Sequence, residues 1–512
     1  MTNTVSALAD STDTTVAVRV ADIVITDDGL GVNTITLSGA DATSFEVVGT
    51  SLFLKAGTSL NTATQPLYSV TVSVQDTSVP ASPAVTTSLT VEIRPLADFF
   101  TTEANATGLT ITGYTGPGGA LTIPSAIGGT PVTSIGQAAF FSNGSLTAIT
   151  IPASVTSIGS QAFEAMTQLT RITVAEDNSL FSSIDGVLFD KAQAVLLRFP
   201  GNRASYTSPS GVTSIADGAF RYTSGVRAVV ISEGVTSIGV QAFGDSHALE
   251  SVTLPDSLTS IGFWAFSNCF NLQSMRIPAN VVSIGSDDLY LDAFGGCMAL
   301  TAFDIAPENQ SFTVIDGVLY DSAVSTLMQC PGGKIGTLSV PATVTNMSWG
   351  AINSCDQLTG ITVADGNTTY SSQNGVLFNA TATTLLWYPR SRAGGYSVPQ
   401  GVTVIASSAF SGASLLTSVA LPDGLLEIEG FAFGGNGQLT TVTIPATVST
   451  IGPDAFISTG ISEFYFLGEP PAVTELFPAF EGRQATVFFV RGAIWPEVFA
   501  GIATQPFDPV AA

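Results

Sequence analysis

The chain is short of charge, and above all of basic charge. Only 11% of its 512 residues are charged, and 15 basic residues stand against 40 acidic ones, which gives a net charge of −25. The only lysines are Lys55, Lys191 and Lys334. Because binding to nucleic acid or to an anionic membrane needs a basic stripe, both are poor partners for this chain.

Long apolar runs are also absent. No segment approaches the ~20 unbroken apolar residues of a membrane-spanning helix, so we expect no membrane insertion. The apolar residues recur instead at regular spacing, as in a continuous core. Residues 1–10 carry neither the basic nor the apolar stretch of a secretion signal. A removed signal, another secretion route and release by lysis all remain open.

Histidine and cysteine, the usual transition-metal ligands, are scarce. The one histidine, His247, follows Asp245 and Ser246, but neighbours in sequence do not make a catalytic triad. We predict a solvated loop histidine and no catalytic residues. The four cysteines are Cys269, Cys297, Cys330 and Cys355. They occupy core positions of a repeat and are predicted to be buried thiols. The alternative is a disulfide between adjacent coils.

What the chain does contain is ten copies of one phrase. It runs apolar-x-Ser-Ile-Gly-x-x-Ala-Phe and, after a short loop, Leu-x-x-Ile-x-Ile-Pro, and simple neighbours lie 23 residues apart. A fixed period of this length predicts a solenoid. The central pairs are Ala139-Phe140, Ala162-Phe163, Ala219-Phe220, Ala242-Phe243, Ala265-Phe266, Ala293-Phe294, Ala351-Ile352, Ala409-Phe410, Ala432-Phe433 and Ala455-Phe456.

Each copy predicts two strands. The Leu-x-x-Ile-x-Ile-Pro part is one strand, ended by a proline that lacks an N–H, and Val-Thr-Ser-Ile-Gly is a second, shorter one. Three copies carry an insertion in which Asp-Gly or Asn-Gly precedes an apolar run, which predicts a β-hairpin. These insertions contain Ile184–Phe189, Ile315–Tyr320 and Gln373–Phe378.

The chain divides into four predicted segments. Residues 1–98 hold short alternating β runs separated by turn residues and predict a β-sandwich. Residues 99–134 form the first coil or N-cap, residues 135–466 the repeats with their three insertions, and residues 467–512 the C-terminal cap. Caps are expected because an open end of an array would expose its core.

The repeated phrase resembles the BspA-type leucine-rich repeats of bacterial and protist surface proteins. The insertions and the ending Ala485–Val490 with Trp495 are similar to that family too, so the resemblance covers about residues 104–508. It implies a mainly β protein in which an N-terminal sandwich precedes a leucine-rich-repeat solenoid of about ten coils with N- and C-caps. It also implies extracellular adhesion or partner binding, without shared catalytic residues.

The first segment resembles a bacterial cadherin-like module, through Val20–Gly29 with Asn33 and through Val72–Asp76. That resemblance implies calcium held by carboxylates at the domain ends. The matching positions are Asp10, Asp27, Asp28 and Asp76. An expected glutamate is missing, since Leu60–Thr64 stands in its place, and calcium needs about 6–8 oxygen ligands. The alternative is that these aspartates only form turns.

A break in the repeat provides a candidate binding edge. The two residues before Ala-Phe are mostly small or polar, yet three successive coils carry large aromatic or apolar groups there. Exposed aromatic groups commonly mark an interface. The candidate residues are Phe263, Trp264, Tyr290 and Trp349. The alternative is that they cover a local groove or pack on the insertion around Tyr290.

These observations favour a non-enzymatic recognition or adhesion protein at the cell surface or outside the cell. It would bind a protein or a glycan through the solenoid. The rival hypothesis is a structural subunit, self-assembled in a virion decoration, a fibre or a surface layer. No cofactor is expected apart from the calcium that the first segment implies.

Overall fold

The computed structural model describes residues 1–27, 32–76, 78, 83–285, 293–348, 350–473, 485–499 and 502–508. As predicted, the fold is mainly β; the two 3-10 helices are Ala42–Ser44 and Leu96–Phe99. No helix in these ranges is long and apolar enough to cross a membrane. The chain forms two compact units, residues 1–227 with 242–246 and residues 228–241 with 247–512.

The first unit begins with two small sheets. Their strands are β1 (Ala7–Ala9), β2 (Val18–Asp22), β3 (Asn33–Ser38), β4 (Phe45–Val48), β5 (Ser51–Leu54), β6 (Leu67–Asp76) and β7 (Val85–Arg94). The strand orders are β1-β7-β6-β3 and β2-β5-β4. Alternate residues such as Val70, Val72 and Val91 are buried in one apolar cluster with Leu52 and Phe45. The period-two pattern of these segments thus places one face of each sheet in a shared core.

The remaining strands of the first unit belong mostly to the repeats. They are β8 (Phe100–Asn105), β9 (Gly108–Tyr114), β10 (Gly119–Thr122), β11 (Ala126–Ile127), β12 (Thr130–Ile135), β13 (Leu146–Ile151), β14 (Ser157–Ile158), β15 (Arg171–Val174), β16 (Phe181–Ile184), β17 (Val187–Asp190), β18 (Val195–Arg198), β19 (Ser205–Thr207) and β20 (Ser214–Ile215). Strands β10, β13 and β15 form a parallel sheet.

The second unit continues the same strand types. Its first strands are β21 (Ala228–Val230), β22 (Ser237–Ile238), β23 (Ser251–Thr253), β24 (Ser260–Ile261), β25 (Met275–Ile277), β26 (Ser283–Ile284), β27 (Phe303–Ile305), β28 (Phe312–Ile315), β29 (Val318–Asp321), β30 (Thr326–Gln329), β31 (Gly336–Val340), β32 (Asn346–Met347) and β33 (Leu358–Val363). They are followed by β34 (Tyr370–Gln373), β35 (Val376–Asn379), β36 (Thr384–Trp387), β37 (Gly394–Ser397), β38 (Val404–Ile405), β39 (Leu416–Ala420), β40 (Glu427–Ile428), β41 (Thr441–Ile444), β42 (Thr450–Ile451), β43 (Glu463–Phe466), β44 (Ala472–Val473), β45 (Thr486–Val490), β46 (Val498–Phe499) and β47 (Ile502–Phe507).

Equivalent strands of neighbouring coils pair in parallel and in register. In the second unit, Ser237 lies opposite Ser260 and Ile238 opposite Ile261 in β22 and β24. The longer strands behave alike, since β41 pairs with β43 over four residues. In-register pairing sets like residues on like residues, so the β-branched and apolar positions stack inside while Ser and Thr lie toward solvent.

The Ala-Phe loops are stacked as regularly as the strands. The N–H of Phe410 donates to the carbonyl of Ala432 at 2.8 Å, and the N–H of Phe433 donates to that of Ala455 at 2.7 Å. The phenyl rings follow the same spacing, with centroids 4.8 Å apart between Phe410 and Phe433. The Ala-Phe pair is therefore buried because it forms the second wall of the core, facing the strands.

Each insertion is a hairpin that adds a turn of its own. Asp185 and Gly186 at the first tip have φ angles of 49° and 77°, the left-handed pair that a two-residue turn requires, and β16 pairs antiparallel with β17. The hairpin ends on Phe199, whose N–H donates to Ala219 at 2.8 Å and whose ring stacks on Phe220 at 4.8 Å. Phe199 thus holds the place of a repeat phenylalanine.

The repeats consequently form a β-solenoid of about 16 turns, against the predicted ten coils. The sequence count included only turns with an Ala-Phe phrase. The three hairpins are further turns. So are strands beyond the phrases, namely β10 before the first and β45 and β47 after the last.

All four cysteines are free and buried, as the core prediction required. Three stand at the third position after the repeat Phe or Ile, where a small donor reaches the preceding turn. Cys297 Sγ lies 3.2 Å from the carbonyl of Phe266, and Cys355 Sγ lies 3.5 Å from that of Cys330. Their role in the fold is to satisfy carbonyl groups.

The stacked phenylalanines make a testable contribution to stability. Phe433 is fully buried, whereas Phe431, two residues earlier, is 45% exposed. We expect Phe433→Ala to lower the free energy of unfolding by about 3–5 kcal/mol, because it removes a core ring and leaves a cavity. Phe431→Ala, the matched control, should stay within about 0.5 kcal/mol of the wild type. Urea unfolding followed by circular dichroism measures both, and equal losses would contradict this account of the core.

Candidate functional site

Wherever the structure describes it, the residue just before an Ala-Phe pair holds a left-handed backbone. The φ angles at this position are 52° for Gln241, 54° for Trp264 and 56° for Phe431. In this conformation the backbone turns into the loop, and the side chain is left at the surface: Trp264 is 36% and Phe431 45% exposed. This repeat position therefore displays whatever side chain the sequence provides.

The predicted aromatic edge is partly visible. The rings of Phe263 and Trp264 stack with centroids 4.2 Å apart and 25° between their planes, and Phe263 accepts a hydrogen bond from the N–H of Gln241. Tyr290 and Trp349 lie outside the described residues. The stack fixes the orientation of an exposed indole, and its assignment as a binding edge stays a prediction.

A second row of large side chains was missed by sequence reasoning. His247 stacks on Phe270 at 4.5 Å, with 14° between the rings, and Phe270 and Met298 are each 40% exposed. All three stand four residues after the repeat phenylalanine. Other coils have Gly144 or Ser414 there. An alignment of the coils at this position would have revealed the three large side chains. The sequence comparison covered only the residues before Ala-Phe and therefore missed them.

The first unit contains a different feature, a buried cluster of charge. Arg221 lies between two carboxylates, with Nη1 3.6 Å from Glu164 Oε2 and Nε 3.3 Å from Asp245 Oδ2. Its guanidinium carbon lies 4.5 Å from the ring centroid of Tyr222. Arg198 donates from Nη1 to the Gly218 carbonyl at 2.7 Å and from Nη2 to the Arg221 carbonyl at 2.9 Å.

Burial dominates the electrostatics of this cluster. Glu164 and Arg198 are each only 6% exposed. Burial raises the pKa of Glu164, although Arg198 and Arg221 oppose the shift, and burial lowers the pKa of Arg198 to about 10. Glu164 Oε2 and Arg198 Nε form no hydrogen bond. Both groups also line a cavity of about 340 Å³.

Sequence reasoning did not single out Glu164 or Arg198. Only the fold brings Glu164 close to Arg221. The available signal was positional. Glu164 directly follows a repeat phenylalanine, and Arg198 stands where the sister hairpins carry Gln329 and Trp387.

The candidate calcium ligands fall at two ends of the N-terminal sheets. Asn33, the partner of Asp76 in the strand register, also donates to Asp27. Asp10 lies at the other end of β7, where its carboxylate accepts a hydrogen bond from the N–H of Leu96 at 3.2 Å. The ten residues of β7 span about 30 Å. Asp28 lies outside the described residues, and within them no three His, Cys, Asp or Glu side chains form a group that could hold a metal.

The neighbours of His247 have other partners. Ser246 Oγ donates to the Phe220 carbonyl at 2.7 Å and shares a 2.9 Å hydrogen bond with Thr223 Oγ. Asp245 is paired with Arg221. Ser246 therefore serves the loop, and Asp245 serves the charge cluster.

Comparison with known families decides the identity of the repeats. Six copies of the BspA type leucine rich repeat region match residues 133–208, 199–323 and 394–476, together more than half of the chain. The chain belongs to the BspA-type leucine-rich repeat family. Leucine-rich repeat families of this kind are typically non-enzymatic, and BspA-like surface proteins are typically found at the cell surface.

Solved structures similar to this BspA-type chain are bacterial. The pneumococcal vaccine antigen PcpA is 18% identical, with a TM-score of 0.36, over 77% of this chain and 94% of its own. A leucine rich cell surface protein from Faecalibacterium prausnitzii is 25% identical, with a TM-score of 0.31, over 72% and 86%. A leucine-rich repeat protein from Bacteroides ovatus is 20% identical, with a TM-score of 0.31, over 80% and 99%. No curated protein matches the chain.

The raised pKa of Glu164 gives the BspA-type repeats a pH-dependent stability. A carboxyl whose pKa is higher in the folded state contributes stability below its unfolded-state pKa and loses it as the pH rises through the folded-state pKa. Its ordinary value is 4.5. We therefore expect the melting temperature of the wild type to fall relative to that of Glu164→Gln as the pH rises above 4.5. Scanning calorimetry across this range measures the difference, and parallel curves would show that folding leaves the pKa unchanged.

Proposed function

We propose that this chain is an extracellular recognition protein whose BspA-type repeats bind a protein partner. The binding edge of the proposal comprises Phe263, Trp264, His247, Phe270 and Met298 in the second unit. The observation that carries it is the presence of two stacked, exposed aromatic pairs in neighbouring coils. The family supports it, because its surface-protein repeats point to protein binding or adhesion.

The stacks suit these side chains to binding. An exposed aromatic side chain that is already held in place loses less conformational freedom when a partner covers it. Tryptophan is also enriched among the residues that dominate binding energy. Most other coils place small or polar groups at the same two repeat positions. The proposed edge thus differs from most other coils in the size and apolar character of the side chains at these two repeat positions.

The charge of the chain supports a preference among partners. With a net charge of −25, the surface attracts positively charged proteins over long range and repels nucleic acid and anionic lipid. The proposed partner is therefore a protein with a basic surface around an apolar patch. Binding to a glycan and assembly of the chain with itself are the competing outcomes of the test.

The binding edge is tested with a matched pair of variants. Trp264→Ala with Phe270→Ala should weaken binding of the full chain to cultured epithelial cells and to purified basic matrix proteins at least about tenfold, as expected for interface anchors. Phe431→Ala, at the same repeat position as Trp264, should leave binding unchanged. Flow cytometry and surface plasmon resonance measure the effect, and unchanged melting temperatures exclude misfolding.

Other outcomes would identify the rival functions. Binding that survives in the double variant would remove the proposed edge. Loss of binding after glycosidase treatment of the cells would replace the protein partner by a glycan. Defined oligomers or filaments in light scattering, lost in the double variant, would favour a structural subunit.

Calcium binding in the N-terminal segment is part of the proposal. Asp27 and Asp76 lie at the same end of the sheet, because Asn33 is the strand partner of Asp76 and also donates a hydrogen bond to Asp27. We expect 2 mM calcium to raise the melting temperature of the wild type relative to a chelator, and Asp27→Asn with Asp76→Asn to abolish the difference. Asp256→Asn with Asp423→Asn, which removes the same two negative charges from exposed positions of the repeats, should preserve it. Identical melting curves of the wild type with calcium and chelator would remove calcium from the proposal.

A further inference from the structure

The cavity beside Glu164 arises where the first hairpin replaces a complete coil. Between two complete coils the residue before Ala-Phe donates its N–H to the next loop, as Ala138 does to Ser160 at 3.0 Å. The hairpin provides only the end of β18 and Phe199 at this level. A gap therefore separates the loop around Gln161 from the loop around Gly218, and both loops line the cavity.

Arg198 and Glu164 are arranged around this gap. The Arg198 guanidinium binds the carbonyls of Gly218 and Arg221, which face the missing loop. Glu164 reaches across to Gly218, where a Cβ atom would lie only 2.6 Å from Glu164 Oε1. Gly218 has a φ of 62°, at a repeat position where most other coils carry side chains. The absent side chain at 218 thus leaves room for the carboxyl group.

The lining of the cavity combines apolar and polar walls. Phe181, Leu188 and Leu197 form the apolar part. Glu164, whose side chain is only 6% exposed, supplies a hydrogen-bond acceptor. Gln161 supplies an amide at the rim. The third hairpin has no such charge, because Trp387 stands in the place of Arg198 and is itself buried.

We infer that this cavity binds one ring of a neutral sugar. Its volume of about 340 Å³ lies at the lower end of the range for small-molecule sites. A sugar ring has an apolar face that can pack against the wall formed by Phe181. Its hydroxyl groups can both donate and accept hydrogen bonds, as the Glu164 carboxylate and the Gln161 amide require. This site is in the first unit and does not depend on the protein-binding edge proposed above.

The charges present exclude an anionic ligand. Arg221 and Arg198 balance Glu164 and Asp245, and Asp217, which also lines the cavity, leaves the site with a net negative charge. An anionic ligand would lose its hydration without gaining a counter-charge. A neutral ring instead supplies hydroxyl groups to the Glu164 carboxylate, which lines the cavity.

The experiment is saturation-transfer NMR on the full chain with the methyl glycosides of glucose, galactose and N-acetylglucosamine, and with glucuronic acid as the charged comparison. We expect at least one neutral glycoside to bind and glucuronic acid to bind more weakly. Glu164→Gln should reduce the affinity at least about tenfold, because a charged acceptor is lost. Gln161→Ala should also reduce it, and it preserves the fold, since Ala138 occupies the equivalent position with a φ of 54°.

Matched controls separate the cavity from the rest of the repeats. Gln241→Ala makes the same change at the same repeat position in another coil, and Glu429→Gln neutralises a carboxylate that accepts the N–H of Ser407. Both should bind as the wild type does. Absence of saturation transfer to all neutral glycosides, equal affinities in Gln161→Ala and Gln241→Ala, or a preference for glucuronic acid would each overturn the inference.

Discussion

The repeats depend on one recurring hydrogen bond, from the N–H of a loop phenylalanine to the carbonyl of the alanine in the next loop, as from Phe410 to Ala432. This bond spaces the loops like the strands, so that a ring stacks on the equivalent ring, as Phe410 does on Phe433 at 4.8 Å. Alanine is small enough for the close approach, and phenylalanine fills the space between the loop and the strands. Buried apolar area and satisfied backbone groups therefore come from the same two residues.

Much of this was accessible from the sequence because it is periodic. The phrase predicted two strands in each copy, a continuous apolar core and buried cysteines, and Asp185-Gly186 predicted a β-hairpin. The number of turns was not accessible in the same way. A hairpin such as β16–β18 provides only Phe199 as a counterpart of the loop. Its equivalence to a coil becomes visible only when the ring is seen stacked on Phe220.

The candidate sites were less predictable because they are departures from the period. Trp264 differs from its counterparts at a repeat position that the sequence analysis had already compared across the coils. Phe270 differs at a position for which the repeated phrase specifies no residue, so the coils were not compared there. Glu164 and Gly218 lie 54 residues apart in sequence, and their relation is steric: one leaves out a side chain where the other places a carboxyl group. A repeat motif that describes each position separately cannot describe a steric relation between two distant residues.

The direction of the loop hydrogen bonds has a consequence for how such a chain changes in evolution. Each loop presents carbonyl groups to one neighbour and N–H groups to the other, and a hairpin turn presents the same carbonyl–amide relation through Phe199 and Ala219. A hairpin turn therefore joins the next coil by the same backbone bond that joins two complete coils. The loop carbonyls that the hairpin leaves without a neighbouring loop need another donor, which Arg198 provides for Gly218 and Arg221. Unequal recombination can then add or delete whole turns of either kind wherever a side chain supplies such a donor, and the surface of the array can change by whole turns as well as by point substitution.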